Sequence, residues 1–288
     1  MNIAINGFGR IGRLSFRAGW DHPAHTISVI NELHGTPETG AHLLEFDTVH
    51  GRWDRQIDHD ASSITVDGQQ VAYSNVSTPA EMDLRGVDIV IDATGAYRTP
   101  ELLQPYFDAG VKKVIVAAPV KEGALNIVMG CNDHLYEPDK HHLLTAASCT
   151  TNCIAPVVKV IHENLGIKHG MITTMHDVTN TQVVVDAPHK DLRRARSAPN
   201  SIVPTTTGAA KAITRIFPHL DGKIGGCGIR VPVPNGSMTD ITCVVKNPKS
   251  VELINEKFKT VSKTSLKGIL DYTEDPIVSV DIIGNPHS

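Results

Sequence analysis

The first twelve residues, Met1-Asn-Ile-Ala-Ile-Asn-Gly-Phe-Gly-Arg-Ile-Gly12, decide the fold of the N-terminal half. The apolar run Asn2–Asn6 predicts a strand, and the pattern of Arg10–Trp20 predicts a helix directly after it. Between them, Gly7 permits a tight turn and Gly9 lets backbone amides approach a pyrophosphate, while Gly12 allows close packing of helix on strand. The spacing therefore predicts a dinucleotide-binding turn, with the anion at a helix N-terminus.

An acidic residue, Glu32, ends the second predicted strand twenty residues after Gly12. Asn31 and Glu32 are expected to bind the hydroxyls of an adenosine ribose, and the Glu32 carboxylate would repel a 2′-phosphate. NAD is therefore the predicted cofactor, although the neighbouring His34 leaves NADP open. The turn residues expected to contact the cofactor are Gly7, Phe8, Gly9, Arg10, Ile11 and Gly12.

A change of pattern near residue 148 predicts two domains. Residues 1–147 alternate short apolar runs with helical patterns, which indicates an α/β, Rossmann-type, doubly wound parallel sheet. Within them, Asp67-Gly68 predicts a hairpin turn. Residues 148–288 contain longer alternating runs such as Ser237–Lys246, which predict a second, α+β domain with a mainly antiparallel sheet. A covering helix is expected at Val251–Lys263, and a further strand at Ile277–Ile283.

The composition favours a globular protein without a polyanionic partner. Of the 288 residues, 41% are hydrophobic, and the formal net charge of -4 argues against nucleic-acid binding. We expect no secretory signal, and no apolar run approaches the ~20 residues needed to span a bilayer. The five cysteines lack the spacing of metal ligands, so we predict free thiols in the cytoplasm and no metal site.

The segment Ala147-Ser-Cys-Thr-Thr-Asn-Cys153 places a cysteine where an apolar run meets a helical pattern. Cys149 is therefore expected at a helix N-terminus, where unpaired amides and the helix dipole favour the thiolate. Cys153 follows one helical turn later and is expected to be a small buried residue. Without further motifs, an inert core thiol would be the better interpretation of Cys149 as well.

This segment resembles the nucleophile motif of the glyceraldehyde-3-phosphate dehydrogenase family, and the resemblance covers essentially the whole chain. The other matching segments are Asn6–Arg13, His50–Arg52, Ala93–Gly95, Ala118–Pro119, Met129–Gly130, Thr173–His176, Pro204–Ala210 and Arg230–Pro232. The resemblance implies phosphorylating oxidation of glyceraldehyde 3-phosphate to 1,3-bisphosphoglycerate with NAD. In that reaction Cys149 forms a hemithioacetal and then a thioester, His176 acts as the base, and inorganic phosphate releases the product.

The same resemblance implies further binding residues and an assembly. For NAD it adds Thr94 and Gly95. For the substrate's own phosphate it implies Thr179, Thr181, Arg194 and Arg230, and for inorganic phosphate it implies Ser148, Thr150, Thr207 and Gly208. Arginine forks match phosphate oxygens, and hydroxyls fill the remaining lone pairs. The family also implies a cytoplasmic homotetramer acting in glycolysis. The polar stretch 177–204 is long for a loop, so it is expected to be functional or to be buried by a partner subunit.

Several positions depart from the family pattern. Asp177-Val178 follows His176 where many relatives have Ala-Tyr or similar, and Glu32 replaces a more usual aspartate. Erythrose-4-phosphate dehydrogenase shares that glutamate but generally lacks a threonine at the position of Thr179, so it ranks second. An arsenate-using detoxification paralogue remains open as well. The alternative from another class is a catalytically silent NAD-binding or nucleic-acid-binding module.

The chain ends at Ser288, where the family continues through a strand, an Asn-containing segment and a terminal helix. We therefore expect the functional protein to extend beyond this residue. A chain that stopped here would be a fragment lacking the C-terminal segment, and it is expected to bind NAD weakly and turn over slowly.

Overall fold

The computed structural model describes residues 1–288, which form two compact units. The first comprises Met1–Ile127 and Leu135–Ala147, and the second comprises Val128–His134 and Ser148–Ser288. The short segment 128–134 thus belongs to the second unit, whereas the expected division placed it in the first. Its contacts explain this, because a Cβ on Gly130 would lie 2.7 Å from a methyl of Ile269.

A nine-stranded sheet organises the first unit. Its strands are β1 (Asn2–Asn6), β2 (Thr26–Asn31), β5 (Ile57–His59), β6 (Ser63–Val66), β7 (Gln69–Ser74), β8 (Ile89–Asp92), β9 (Lys113–Val116), β10 (Leu125–Asn126) and β11 (Leu143–Thr145). The strand order is β10-β11-β9-β8-β1-β2-β7-β6-β5. All pairs from β10 to β7 are parallel, and β7-β6 and β6-β5 are antiparallel. Separately, β3 (Phe46–Asp47) pairs with β4 (Gly51–Arg52).

Helices cover both faces of this sheet, as the alternation of strands and helices predicted. They are α1 (Arg10–Gly19), α2 (Pro37–Glu45) and α3 (Pro100–Asp108). On one face, Ile5 of β1 belongs to a buried cluster with Phe16 of α1. On the other, Ala4 joins a cluster with Leu103 and Tyr106 of α3. The prediction of a Rossmann-type, doubly wound sheet is confirmed.

The second unit combines a four-stranded sheet with three helices. Its elements are α4 (Cys149–Leu165), β12 (Ile167–His176), β13 (Val203–Thr205), α5 (Ala209–Ile216), β14 (Ile224–Arg230), β15 (Met238–Val245) and α6 (Val251–Lys263). The strand order is β13-β14-β12-β15. Two of the three pairs are antiparallel and β12-β14 is parallel, so the prediction of a mainly antiparallel sheet is confirmed.

The sequence pattern was wrong about the last predicted strand. Residues 277–283 pair with no strand, and Ser279–Ile282 form a short 3-10 helix. The Asp281 carboxylate accepts the Val278 amide at 2.7 Å, and this local bond closes a turn that competes with an extended chain. No helix of the protein is long and apolar enough to cross a membrane.

Candidate active site

The glycine-rich turn between β1 and α1 brings backbone segments into close contact. Gly7 has a φ of +89°, and a Cβ there would lie 2.6 Å from the Thr94 amide nitrogen. A Cβ on Gly12 would lie 2.0 Å from the Gly7 carbonyl oxygen. By contrast, nothing lies within 4 Å of the position that a Cβ on Gly9 would take. The turn therefore leaves open space beside the first amides of α1, which fits a pyrophosphate.

Glu32 holds this turn from the end of β2. Its carboxylate accepts hydrogen bonds from the amide of Phe8 at 2.7 Å and from that of His34 at 3.2 Å. A carboxylate accepts about four hydrogen bonds, so acceptor capacity remains for ribose hydroxyls. The Phe8 amide is thereby occupied, and its ring lies in the core. Phe8 consequently shapes the turn and offers no polar group to a cofactor, which corrects the expected contact.

Asn31 also differs from expectation. Its side chain is buried, and its amide nitrogen donates to Asn6 Oδ1 at 2.8 Å and to the Val76 carbonyl at 3.0 Å. Its Oδ1 accepts from the Ser74 hydroxyl and the Val76 amide, both at 2.9 Å. No polar group of this side chain is left for a ribose hydroxyl. Asn31 therefore ties the end of β2 to β1 and β7, and does not itself bind the ribose.

A buried polar network, which the sequence pattern did not reveal, supports the neighbouring loop with Thr94 and Gly95. The Tyr106 hydroxyl donates to the Asp92 carboxylate at 2.7 Å and accepts from the Asn6 amide nitrogen at 2.5 Å. Asp92 also accepts the Thr94 hydroxyl at 2.7 Å. Burial raises the pKa of Asp92 despite these bonds, and it raises that of Tyr106 as well. The network fixes the C-terminal ends of β1 and β8, and ligands of open α/β sheets bind at the carboxyl ends of the strands.

Cys149 begins α4, as predicted. The Ser148 hydroxyl caps the helix by accepting the Thr151 amide at 3.1 Å and bonds the Thr151 hydroxyl at 2.6 Å. The other N-terminal amides of α4 and the helix dipole give a positive electrostatic potential around Cys149. The thiol is exposed and free, so reagents and substrates can reach it.

His176, at the end of β12, lies against this thiol. Its Nε2 is 3.5 Å from Cys149 Sγ, and the Thr150 hydroxyl lies 3.9 Å from the same sulfur. The hydrogen bond to His176 lowers the pKa of the Cys149 thiol, against the opposing effect of desolvation. Desolvation opposes the charge on His176, but hydrogen bonds to Asp177 and Cys149 raise its pKa to about 9. The geometry therefore favours a thiolate–imidazolium pair.

The remaining cysteines lack such a partner. Desolvation raises the pKa of Cys131 to about 11 and raises those of Cys153 and Cys243. Cys153 is exposed, which corrects the expectation of a buried residue. Only Cys149 has a base within reach, so the thiol chemistry of this unit centres on it.

The parallel pairing of β12 with β14 brings Arg230 to His176. These two residues are partners in the strand register although they are 54 positions apart. Arg230 Nη1 lies 2.8 Å from His176 Nδ1 and donates to the Asp177 carbonyl oxygen at 2.8 Å. Desolvation lowers the pKa of Arg230, and the neighbouring charge of Arg194 lowers it further. Two arginines held close together favour an anion between or beside them.

Three of the residues expected at the substrate's phosphate form one cluster. The hydroxyls of Thr179 and Thr181 are 3.0 Å apart, and Arg194 Nη1 donates to the latter at 3.3 Å. Arg194 Nε donates to the Thr205 hydroxyl at 3.1 Å, which in turn donates to Asp191 at 3.1 Å. Thr205 and Asp191 were not predicted, because their part is to orient the arginine.

The residues expected at inorganic phosphate lie at two helix N-termini. Ser148 and Thr150 belong to α4, whereas Gly208 is the N-cap residue of α5 and the Thr207 hydroxyl accepts the Ala209 amide at 3.2 Å. The structure shows no hydrogen bond between these two pairs. Each pair thus lies where a helix begins, with at least one hydroxyl beside the first backbone amides, and helix N-termini bind oxyanions.

The chain is similar in sequence to known proteins along its whole length. The sequence model of the glyceraldehyde 3-phosphate dehydrogenase NAD binding domain matches residues 1–100, and that of its C-terminal domain matches residues 148–288. The chain is 56% identical to glyceraldehyde-3-phosphate dehydrogenase 3 of Nostoc sp., over 100% of this chain and 86% of the relative. It is 46% identical to glyceraldehyde-3-phosphate dehydrogenase 2 of Bacillus subtilis, over 100% and 85% of the two chains. With glyceraldehyde-3-phosphate dehydrogenase of Geobacillus stearothermophilus it shares 45% identity, over 99% and 85%. The chain therefore belongs to the glyceraldehyde 3-phosphate dehydrogenase family of NAD-dependent oxidoreductases.

Proposed function

We propose that this protein oxidises glyceraldehyde 3-phosphate to 1,3-bisphosphoglycerate with NAD and inorganic phosphate, with Cys149 as nucleophile and His176 as base. The observation that carries the proposal is the 3.5 Å approach of His176 Nε2 to Cys149 Sγ at the first residue of α4. A thiolate so placed is a strong nucleophile at neutral pH. An intact pair of this kind argues against a catalytically silent module.

The chemistry begins with addition of the Cys149 thiolate to the aldehyde carbon, which gives a hemithioacetal. The Cys149 backbone amide stabilises the oxygen as negative charge develops on it. The His176 imidazolium gives this oxygen its Nε2 proton, which forms the hydroxyl and leaves His176 as a neutral base. His176 takes the hydroxyl proton as the carbonyl reforms, and the product on the enzyme is a thioester. When bound, NAD supplies the hydride acceptor for this oxidation.

A phosphate oxygen then attacks the thioester carbon. The carbon–sulfur bond breaks, Cys149 leaves as the thiolate, and the acyl phosphate is released. Ser148, Thr150, Thr207 and Gly208 would hold the attacking phosphate through hydroxyls and helix N-terminal amides. Covalent catalysis thus divides one difficult reaction into two easier ones.

The substrate's own phosphate is assigned to the cluster of Thr179, Thr181 and Arg194, together with Arg230. Desolvation, and then the charge of Arg194, lower the pKa of Arg230, and a bound dianion would offset both effects. Because Arg230 also contacts His176, the bound phosphate would lie on an arginine that is adjacent to the base. We assign NAD to Gly7, Gly9, Arg10, Ile11, Gly12, Glu32, Thr94 and Gly95.

Steady-state assays of NADH formation test the proposal directly. We expect turnover with glyceraldehyde 3-phosphate, NAD and phosphate, slower turnover with erythrose 4-phosphate, and turnover with arsenate in place of phosphate. Cys149→Ser should abolish activity, whereas Cys153→Ser, four residues further along α4, should retain it. Equal losses in these two matched variants would contradict the assignment of the nucleophile.

We further propose that identical subunits assemble into a tetramer in the cytoplasm. Four large apolar side chains in the stretch 177–204 are strongly exposed, namely Val184, Val185, Leu192 and Ile202. Such exposure supports an interface along this stretch. Sedimentation of the protein is expected to show a species of four times 31.1 kDa, and a monomer at micromolar concentration would argue against it.

A further inference from the structure

The residue after His176 directs a carboxylate at the side of the imidazole that faces away from the thiol. His176 Nδ1 lies 2.6 Å from Asp177 Oδ1, and the side chains are 13% and 14% exposed, respectively. We propose that Asp177 is a positioning residue that completes a Cys149–His176–Asp177 triad. This inference rests on the proposed function, because it assigns Asp177 a role through His176.

The contact determines which imidazole nitrogen carries the proton. A neutral imidazole has one N–H, and the nitrogen without it is an acceptor. Two oxygens of Asp177 face Nδ1, the carboxylate Oδ1 at 2.6 Å and the carbonyl oxygen at 2.9 Å, so Nδ1 keeps its proton. When the imidazolium gives up a proton during the reaction, the proton therefore leaves Nε2, the nitrogen that faces Cys149 Sγ. A histidine that exchanges a proton through Nε2 requires this arrangement. In Ser-His-Asp triads, the aspartate has the same role, because it holds the histidine in the required tautomer.

Asp177 also counters the charge of Arg230. A guanidinium only donates hydrogen bonds, yet Arg230 Nη1 lies 2.8 Å from His176 Nδ1. The same Nη1 donates to the Asp177 carbonyl oxygen at 2.8 Å, so it has an acceptor other than Nδ1, and the Nδ1 proton can be directed at the Asp177 carboxylate. The positive charge of Arg230 still disfavours the imidazolium. The charged groups facing His176 are Cys149 on α4, Arg230 on β14 and Asp177 after β12, with Arg194 acting on Arg230 from farther away. Asp177 thus lets the imidazolium coexist with an arginine assigned to the substrate's phosphate.

A serine fixes the carboxylate in place. The Ser237 hydroxyl donates to Asp177 Oδ1 at 2.9 Å and accepts the Asp177 amide at 3.0 Å. Ser237 directly precedes β15, which pairs with β12, so the bond spans 60 positions of the chain. A side chain anchored in this way has its rotamer set before substrate binds, as a positioning residue needs.

The test is the pH profile of Cys149 alkylation by iodoacetamide, measured on the full chain without substrate or cofactor. Because Asp177 favours the imidazolium and the imidazolium favours the thiolate, Asp177→Asn should move the onset of alkylation to higher pH by about one unit. Alkylation at pH 6 should then be about tenfold slower, since one pKa unit corresponds to a factor of ten. Ser237→Ala should shift the onset in the same direction by less, and Asp177→Glu should restore part of the wild-type profile.

Asp186→Asn is the matched control, because Asp186 is an exposed carboxylate of the same stretch, ion-paired with Arg196 at 2.8 Å. It should keep the wild-type profile. A shift with His176→Asn but none with Asp177→Asn or Ser237→Ala would overturn the triad and leave the proposed function standing. Absence of a shift in all three would overturn both. In turnover assays, Asp177→Asn should lower kcat about tenfold or more with little change in the KM for NAD.

Discussion

Replacing Gly12 by alanine tests whether the backbone contact between turn and helix creates the cofactor site. An alanine Cβ would lie 2.0 Å from the Gly7 carbonyl oxygen, and contacts below 3.0 Å essentially never occur. Because both partners are backbone, α1 and the turn must separate by about 1 Å, and overpacking of this kind costs about 1–3 kcal/mol. At about 2–4 °C for each kcal/mol, we expect the unfolding temperature of this unit to fall by roughly 2–12 °C.

The matched variant is Gly9→Ala, three residues earlier in the same turn. Its Cβ would meet nothing within 4 Å, and Gly9 has an ordinary φ of −70°, so this variant introduces no steric overlap. Gly9 is the N-cap residue of α1, where alanine is less favourable than glycine, so we expect a loss of up to about 1 kcal/mol. The methyl would nevertheless occupy the open side of the turn. Both variants should therefore weaken NAD binding at least about tenfold, or about 1.4 kcal/mol, but Gly12→Ala should lose more stability than Gly9→Ala.

Thermal unfolding followed by calorimetry, together with calorimetric titration of NAD, separates the two effects. Wild-type affinity in Gly9→Ala would show that the pyrophosphate does not approach this turn. Wild-type stability in Gly12→Ala would show that the helix relaxes at no cost. It would then be wrong that the backbone contact between Gly7 and Gly12 requires a glycine.

Three further predictions concern the cofactor, the thiol and the buried network. NAD should bind at least tenfold more tightly than NADP, and Glu32→Gln should reduce this preference by removing the charge that repels a 2′-phosphate; equal affinities in the wild type would reject that reading. The alkylation rate of Cys149 should rise as pH increases through its lowered thiol pKa, and a second change in rate should follow near pH 9, where His176 loses its proton. A single step at the pKa of an ordinary thiol would contradict the ion pair. Tyr106→Phe should cost about 1–3 kcal/mol of unfolding free energy, because it removes a hydroxyl bonded to two buried groups, and a loss below measurement error in urea titrations would count against the network.

The sequence was sufficient wherever the signal is local. The glycine spacing after β1, the helix beginning at Cys149 and the helix Val251–Lys263 are all read from residues a few positions apart. The Asp67-Gly68 turn between β6 and β7 is of the same kind, since its dihedral angles suit these residues and few others. Helix caps, tight turns and short hydrophobic periods depend on residues that are neighbours along the chain, so a single sequence is enough to predict them.

Strand β14 shows where local patterns fail. Three of its seven residues are glycines, which lower strand propensity, and no hydrophobic alternation marks it. Pairing with β12 and β13 on either side supplies the hydrogen bonds that define it. The predicted strand at 277–283 failed for the opposite reason, because an apolar pattern found no partner and a local cap formed instead.

For the candidate site too, the sequence predicted some features and only the tertiary structure decided others. Sequence motifs identified Cys149, His176 and Glu32, but not the contacts that set their protonation and orientation. Whether Asn31 faces a ligand or the core depends on what β1 and β7 place beside it. The register of β12 against β14 brings Arg230 to His176, and the pairing of β12 with β15 places Ser237 against Asp177. Hydrogen bonds and charges act over a few ångströms in space regardless of separation along the chain, so only the tertiary structure could decide them.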